Sequence, residues 1–248
     1  MSKSIHLKKE EQQIMPLFNG AFIENKPIPF PDRSGSKGYS NLFYWANLDA
    51  HRTDEFPLHP HEGFEILTFV FKGSLVHSDS LNSEYTTLNE GGVQVIQSGS
   101  GVQHAERIIK GSQMFQIWFD PDFSKTLKNH ARYKDYHANE FSSKVINGIE
   151  RITYGGEGGP IHFETQGIQV EKLTFSQGEY SEKIDKNSTY SYYLLNGEIK
   201  INDELVLKDS FLVLNDDGNV NFNVEKEAEL FIIKSPSKVN YKRFIDRY

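Results

Sequence analysis

Cysteine is absent from the 248-residue chain, and with it go disulfides, thiolate metal sites and cysteine nucleophiles. Any metal must therefore be held by nitrogen and oxygen. Long apolar runs are missing too, since none approaches the roughly 20 residues needed to cross a bilayer. The amino terminus, Met1-Ser2-Lys3-Ser4-Ile5-His6-Leu7-Lys8-Lys9, has no apolar h-region and does not read as a secretory signal. The expectation is a soluble cytoplasmic protein with no membrane attachment. Basic residues are in deficit, 27 Lys and Arg against 34 Asp and Glu, for a net charge of −7. That balance argues against direct nucleic-acid binding, which depends on neutralising phosphates. Hydrophobic content is low at 37%, but 18 Phe and 12 Tyr supply bulky core material.

What is present concentrates between His59 and Glu106. The stretch begins His59-Pro60-His61-Glu62-Gly63-Phe64-Glu65 and ends Gly99-Ser100-Gly101-Val102-Gln103-His104-Ala105-Glu106. Side chains two apart on a strand share a face. If both ends are strands paired inside a barrel, His59, His61, His104 and Glu106 converge on one interior point. Three imidazoles and a carboxylate suit a first-row divalent ion, and six-coordination would leave two positions open. The reading is a mononuclear site for Fe(II), with Mn, Ni, Co, Cu or Zn as alternatives. Three neutral imidazoles in the ligand set also imply that protons compete for the site below about pH 6.5.

Between the two pairs run Ile66–Phe71, Leu75–His77, Tyr85–Leu88 and Val93–Ile96, divided by Gly and Asn turns. Short strands at regular spacing indicate an antiparallel sandwich or barrel. Here the sequence resembles the cupins, and within them the pirins, whose motifs run His-Pro-His-x-Gly-Phe-Glu and Gly-Ser-Gly-x-x-His-x-Glu. The resemblance implies an all-β bicupin, two jelly-roll β-barrel domains in tandem, with His59, His61, His104 and Glu106 as iron ligands. Cupins usually supply the carboxylate soon after the His-x-His, and Glu65 lies at even spacing from His61. The pirin match favours Glu106, leaving Glu65 to orient a ligand imidazole. Glu62 departs from the pattern, since pirins usually carry a basic residue there.

Taken in order, residues 1 to about 14 read as a mobile arm or a first edge strand, and Phe18–Ile23 as a hairpin fragment. Pro27-Ile28-Pro29-Phe30-Pro31 is excluded from interior strands by its missing donors. Ser34–Gly38 is a loop and Leu42–Leu48 a strand. Met114–Phe119 is a strong strand resembling the pirin Gln-x-Trp segment. Lys128–Tyr136 reads as the inter-domain connection, dividing a metal-binding cupin at 1–135 from a second at 136–248 that lacks ligands. Gly155–Pro160 is a long hairpin loop. Strands follow at Gln169–Phe175, Tyr190–Leu195, Glu198–Ile201 and Glu229–Ile233, with turns at Asn196-Gly197, Asn202-Asp203 and Asp216–Gly218. Tyr193–Gly197 stands like Phe69–Gly73, yet no His-x-His precedes it, and no histidine follows His162.

His77 reads as structural or superficial, and His51, His130, His137 and His162 as solvated. Phe64, Phe69, Phe115 and Trp118 read as core. The resemblance implies a quercetin 2,3-dioxygenase-like oxidoreductase that opens flavonol-like or other enolic aromatic molecules with dioxygen, Glu106 serving as ligand and base. Its rivals are a non-enzymatic, iron-dependent regulator with a protein partner, and a metal-dependent isomerase or binder on the same fold.

Overall fold

The computed structural model describes residues 5–31, 38–82, 84–215 and 218–247. The sequence readings at 34–37 and 216–217 lie outside that set. The strands in chain order are β1 (Ile5–Leu7), β2 (Gln13–Leu17), β3 (Phe22–Ile28), β4 (Leu42–Ala50), β5 (Asp54–His61), β6 (Glu65–Lys72) and β7 (Ser74–Asp79). Then come β8 (Thr86–Asn89), β9 (Val93–Gln97), β10 (Val102–Ile108), β11 (Gln113–Phe119) and β12 (Arg132–Tyr136). The rest are β13 (Ser143–Ile146), β14 (Ile149–Gly155), β15 (Gln169–Phe175), β16 (Gly178–Ile184) and β17 (Ser188–Ile201). The series closes with β18 (Glu204–Leu207), β19 (Phe211–Leu214), β20 (Gly218–Val224) and β21 (Ala228–Pro236).

The chain divides into two compact units. One is Gln13–Glu140 with the terminal segment Asn240–Tyr248, and the other is Phe141–Val239 with Met1–Gln12. Each terminal segment thus belongs to the unit remote from it in sequence, an exchange that composition and spacing do not signal. In the first unit a sheet ordered β12-β9-β6-β11-β4-β3-β2 faces a smaller one ordered β5-β10-β7-β8. In the second, β1-β19-β17-β21-β15-β14-β13 repeats the first order strand for strand, and β16, β20, the far half of β17 and β18 supply the smaller sheet. This is the jelly-roll bicupin expected from the sequence.

Alternation decides what each interior holds. In the first unit one layer is apolar, with Phe22, Leu48, Val70 and Met114 from the large sheet meeting Leu75, Leu88 and Ile108 from the small one. Strand β6 is buried along both faces from Glu65 to Val70, so its apolar run reflects a strand covered on both sides.

Three readings need correction. Pro27 does lie in an interior strand, because β3 runs between β2 and β4. Its missing donor is absorbed in two ways. Pairing with β2 ends at Gln13↔Lys26, and the register with β4 shifts between Asn25 and Ile28. Arg132–Tyr136 is not a linker but the edge strand β12, paired in full with β9. Asn196-Gly197 is not a hairpin turn, since β17 passes through it with a register shift at Leu194/Asn196. Gly197 has φ +79° and its Cα lies against the Glu227 carbonyl, where a Cβ would come within 2.1 Å. The strand bends there and crosses from one sheet to the other.

Gly63 ends the first histidine motif with φ +82°, and an added Cβ would stand 2.5 Å from the Phe123 ring. Its N–H donates to Gly99 O at 2.9 Å, tying the exit of one motif to the entry of the other. Gly63→Ala is expected to cost about 1–3 kcal/mol through strain and overpacking, read as a lower midpoint in denaturant. An unchanged midpoint would show that the Gly63 turn bears no such constraint.

Candidate metal centre

Strands β5 and β10 pair antiparallel with His61 opposite Val102 and His59 opposite His104. On β5 the exposed Leu58 and Pro60 alternate with the half-buried His59 and His61. On β10 Val102, His104, Glu106 and Ile108 all point inward. The three imidazoles meet as the parity argument anticipated, each offering a ring nitrogen within 4.8 Å of the others. His61 Nε2 and His104 Nε2 stand 2.9 Å apart. Among the described residues no other group of three or more His, Cys, Asp or Glu has ligand atoms so gathered.

Tautomers follow from the partners. His59 Nδ1 lies 2.7 Å from the Pro57 carbonyl, which only accepts, so Nδ1 carries the proton and Nε2 keeps its lone pair. Burial, together with the neighbouring imidazoles, holds His104 down at about 2. Burial, with His59 beside it, holds His61 at about 4. Two neutral imidazoles whose nitrogens approach at hydrogen-bond distance, in a cluster that resists protonation, form a donor set suited to a metal cation.

Glu106 is placed differently. Its side chain is buried and accepts from Gln116 Nε2 at 3.0 Å, and it is not part of the close histidine group. The β5 pairing shifts between His104 and Glu106 with its extra residue on β5, so Glu106 keeps the inward face of β10 one step deeper than His104. Burial raises it to about 7, against the pull of the Gln116 and Thr68 side chains. Glu65 is fully buried but accepts from Gln97 Nε2 at 2.7 Å, its cross-strand partner on β9.

His77 is buried, not superficial, and its ring packs on Tyr133 at 4.4 Å and against His104 at 5.3 Å. His51, His130, His137 and His162 are exposed. Phe64, Phe69 and Phe115 are core, whereas Trp118 stands edge-on to His61 with ring centroids 4.7 Å apart. Trp118 and Gln116 were not singled out as site residues. The signal is parity, because both lie at even spacing from the inward Met114 on β11 and so share its face. Glu24 and Lys26 form a 2.8 Å ion pair on β3, both nearly buried, with Lys26 Nζ 5.6 Å from the Tyr44 ring centre. Buried polar atoms without protein partners cluster here as well: His104 Nδ1, His77 Nε2 and both ends of the Gln94 amide.

The acid limb of metal-free stability follows from these shifts. Between about pH 4.5 and 6.5 an unfolded chain takes up protons on His61 and His104 that the folded chain refuses. Over the same window folded Glu106 holds a proton that its unfolded form has lost. These terms give two protons against one, so stability should fall as the pH is lowered, by a net slope of about one proton from these three groups. Glu106→Gln removes the opposing term and should steepen that slope by about one proton. Denaturant titrations in chelator across this range measure the difference, and identical slopes would remove Glu106 from the buried, proton-holding position.

Residues 36–119 match the family model described as Pirin. A Pseudomonas aeruginosa protein named "Putative quercetin 2,3-dioxygenase PA1210" is 25% identical over 199 residues, covering 77% of this chain and 84% of its own. A "Pirin-like protein" of Caulobacter vibrioides is 38% identical over 89 residues, 33% of this chain and 38% of its own. Among solved structures, the Escherichia coli pirin YhhW in complex with nickel(II) superposes with a TM-score of 0.79 at 18% identity, covering 96% of this chain and all of that one. Quercetin 2,3-dioxygenase from Acinetobacter baumannii superposes at 0.77 and 16% identity, over 94% and 78% of the two chains. The last two establish the fold. With the motif match and the sequence relatives added, residues 36–119 resemble the pirins and the whole chain has their bicupin fold.

Proposed function

We propose that the chain is a metal-dependent dioxygenase of the quercetin 2,3-dioxygenase type, acting on flavonol-like or other enolic aromatic small molecules with dioxygen, and that its resident ion is Fe(II). The observation that carries this reading is the convergence of three imidazoles beside an aromatic wall. His59, His61 and His104 would hold the ion, and Glu106 would complete the set by exchanging its Gln116 hydrogen bond for it. The relatives named as quercetin dioxygenases support the substrate class. An ion held by these residues would supply Lewis acidity and one-electron chemistry.

The remaining work falls to the chain's own residues. Glu106, raised to about 7 by burial, has the basicity to take a phenolic or enolic proton near neutral pH. Gln116 holds one oxygen of that carboxylate and so aims the other. Trp118 packs with Phe43, Tyr44 and Phe64, an apolar surface that excludes water and offers a face to a flat ring. The partners are therefore a small molecule and dioxygen. Among the described residues no helix is long and apolar enough to cross a membrane.

Protein purified from its own cell is expected to carry one ion per chain, because His59, His61 and His104 form the one gathered ligand set among the described residues. Two tightly bound ions per chain would contradict this. With quercetin in an oxygen electrode, uptake should accompany loss of flavonol absorbance, vanish in His104→Ala and return when Fe(II) is restored to chelator-treated wild type. A fully loaded protein that consumes no dioxygen with any flavonol would rule out the dioxygenase reading. Glu106→Gln should weaken metal binding or turnover by more than the ~10–100-fold typical of a supporting residue, while Glu65→Gln should stay within that range. If Glu65→Gln strips the metal and Glu106→Gln does not, the carboxylate assignment reverses.

A further inference from the structure

The second unit can be laid on the first by strand register. Gly73 and Gly197 mark the same bend, Leu75↔Leu88 corresponds to Ile199↔Val206, and His77↔Glu106 corresponds to Ile201↔Phe222. The pairing of β16 with β20, Ile184↔Gly218 and Glu182↔Val220, then repeats His61↔Val102 and His59↔His104. The ligand positions of the first barrel are thus Glu182, Ile184, Val220 and Phe222 in the second. The metal chemistry is gone, but a pocket remains at the same place in the fold. Its cavity is about 380 Å³ and its walls include Arg151, Glu182, Tyr190 and Lys234.

At its base Arg151 reaches Glu171 through Nη1 and Glu182 through Nη2, and these three side chains are only 13%, 15% and 21% exposed. Following the pairings from β14 through β15 to β21, Arg151 occupies the place of Glu24. A fixed guanidinium thus supplies from the chain a positive charge that holds two carboxylates in one geometry. Thr153 and Gln169 also direct side chains onto Glu171. Lys234 lines the same pocket and forms no ion pair among the described residues, its nearest noted electrostatic neighbour being the exposed Asp185. Lys234 Nζ lies 5.8 Å from the centre of the Tyr190 ring, which is anchored through its hydroxyl by the Asp185 N–H at 3.0 Å.

We infer that this pocket is a second, metal-independent binding site, and that its ligand is a small hydroxylated carboxylate. Lys234, whose ammonium makes no ion pair with the pocket's carboxylates, takes the ligand's carboxylate. Glu171 and Glu182, already oriented by Arg151, accept from its hydroxyl groups. Tyr190 and Ile184 bound its apolar face. The cavity is at the small end of the usual range for small-molecule sites.

The test uses the full chain, stripped of metal with chelator and titrated calorimetrically with 3,4-dihydroxybenzoate. One site per chain is expected, unchanged in a His59→Ala/His104→Ala variant and therefore independent of the first barrel. Lys234→Ala should weaken it roughly tenfold or more, the loss of a charge-assisted contact. Lys183→Ala, at an exposed position on the opposite face of β16 from Glu182 and Ile184, should leave it unchanged. Catechol, lacking the carboxylate, and benzoate, lacking the hydroxyls, should each bind roughly tenfold more weakly or worse. The inference is overturned by an absence of saturable binding, by binding that survives Lys234→Ala but not the histidine variant, or by equal affinity for benzoate.

Discussion

The antiparallel register that sets His59 opposite His104 is the constraint on which the candidate centre depends. Cross-strand neighbours of this kind bring side chains on one face into contact, and a one-residue slip would turn every histidine of one strand outward. The register is held at its open end by the Gly63 N–H to Gly99 O bond. At its closed end lies the apolar layer around Leu75, Ile108 and Met114. Between these ends the pairing shifts once, after His104. The extra residue lies on β5, while β10 stays in register with β7, so His104 and Glu106 share one face at successive depths. His104 remains with the other imidazoles, and Glu106 drops toward Gln116.

The interior of the first barrel is costly to build. An apolar layer lies at one level, and above it sit Glu24, Lys26, Glu106, His77, Gln94 and His104, all nearly buried. Burying polar groups without full pairing costs stability, and several atoms here lack a protein partner. Burial on both faces of β6 and the aromatic packing of Phe43, Phe64, Phe123 and Phe244 offset that cost away from the cluster. Violations of the packing rules gathered at one level of a well-packed sandwich are the usual mark of a functional site. Here they coincide with the gathered histidines.

Much of this was legible from spacing. Parity alone places His59 and His61 on one face and His104 and Glu106 on another, and turn residues divide most of the strands correctly. The proline segment misled because a register shift on one side and the end of a short neighbour on the other make room for Pro27. Asn196-Gly197 misled because the dipeptide that closes a hairpin also permits a sharp bend within a crossing strand. His77 could not be placed beyond the turn at Gly73, where parity restarts. Arg132–Tyr136 looked like a linker because an edge strand carries only half a pattern, and its polar residues are tolerated at an edge. The terminal exchange leaves no local trace at all, since it is decided by where nine or twelve residues find packing partners.

The two barrels show that one architecture can deliver positive charge to the same kind of pocket in two ways. In the first, buried imidazoles are kept neutral by desolvation and by each other, so their lone pairs favour a cation drawn from solution. In the second, apolar side chains replace His61, His104 and Glu106, and Arg151 brings a permanent charge on its own side chain. The second arrangement needs carboxylates to pair with that charge, and Glu171 and Glu182 provide them. A guanidinium cannot exchange ligands or electrons as a metal can. It holds its neighbours in one geometry, an arrangement suited to recognition. Duplication of the fold therefore does not duplicate the chemistry. The difference lies in a few inward positions whose backbone register the two units share.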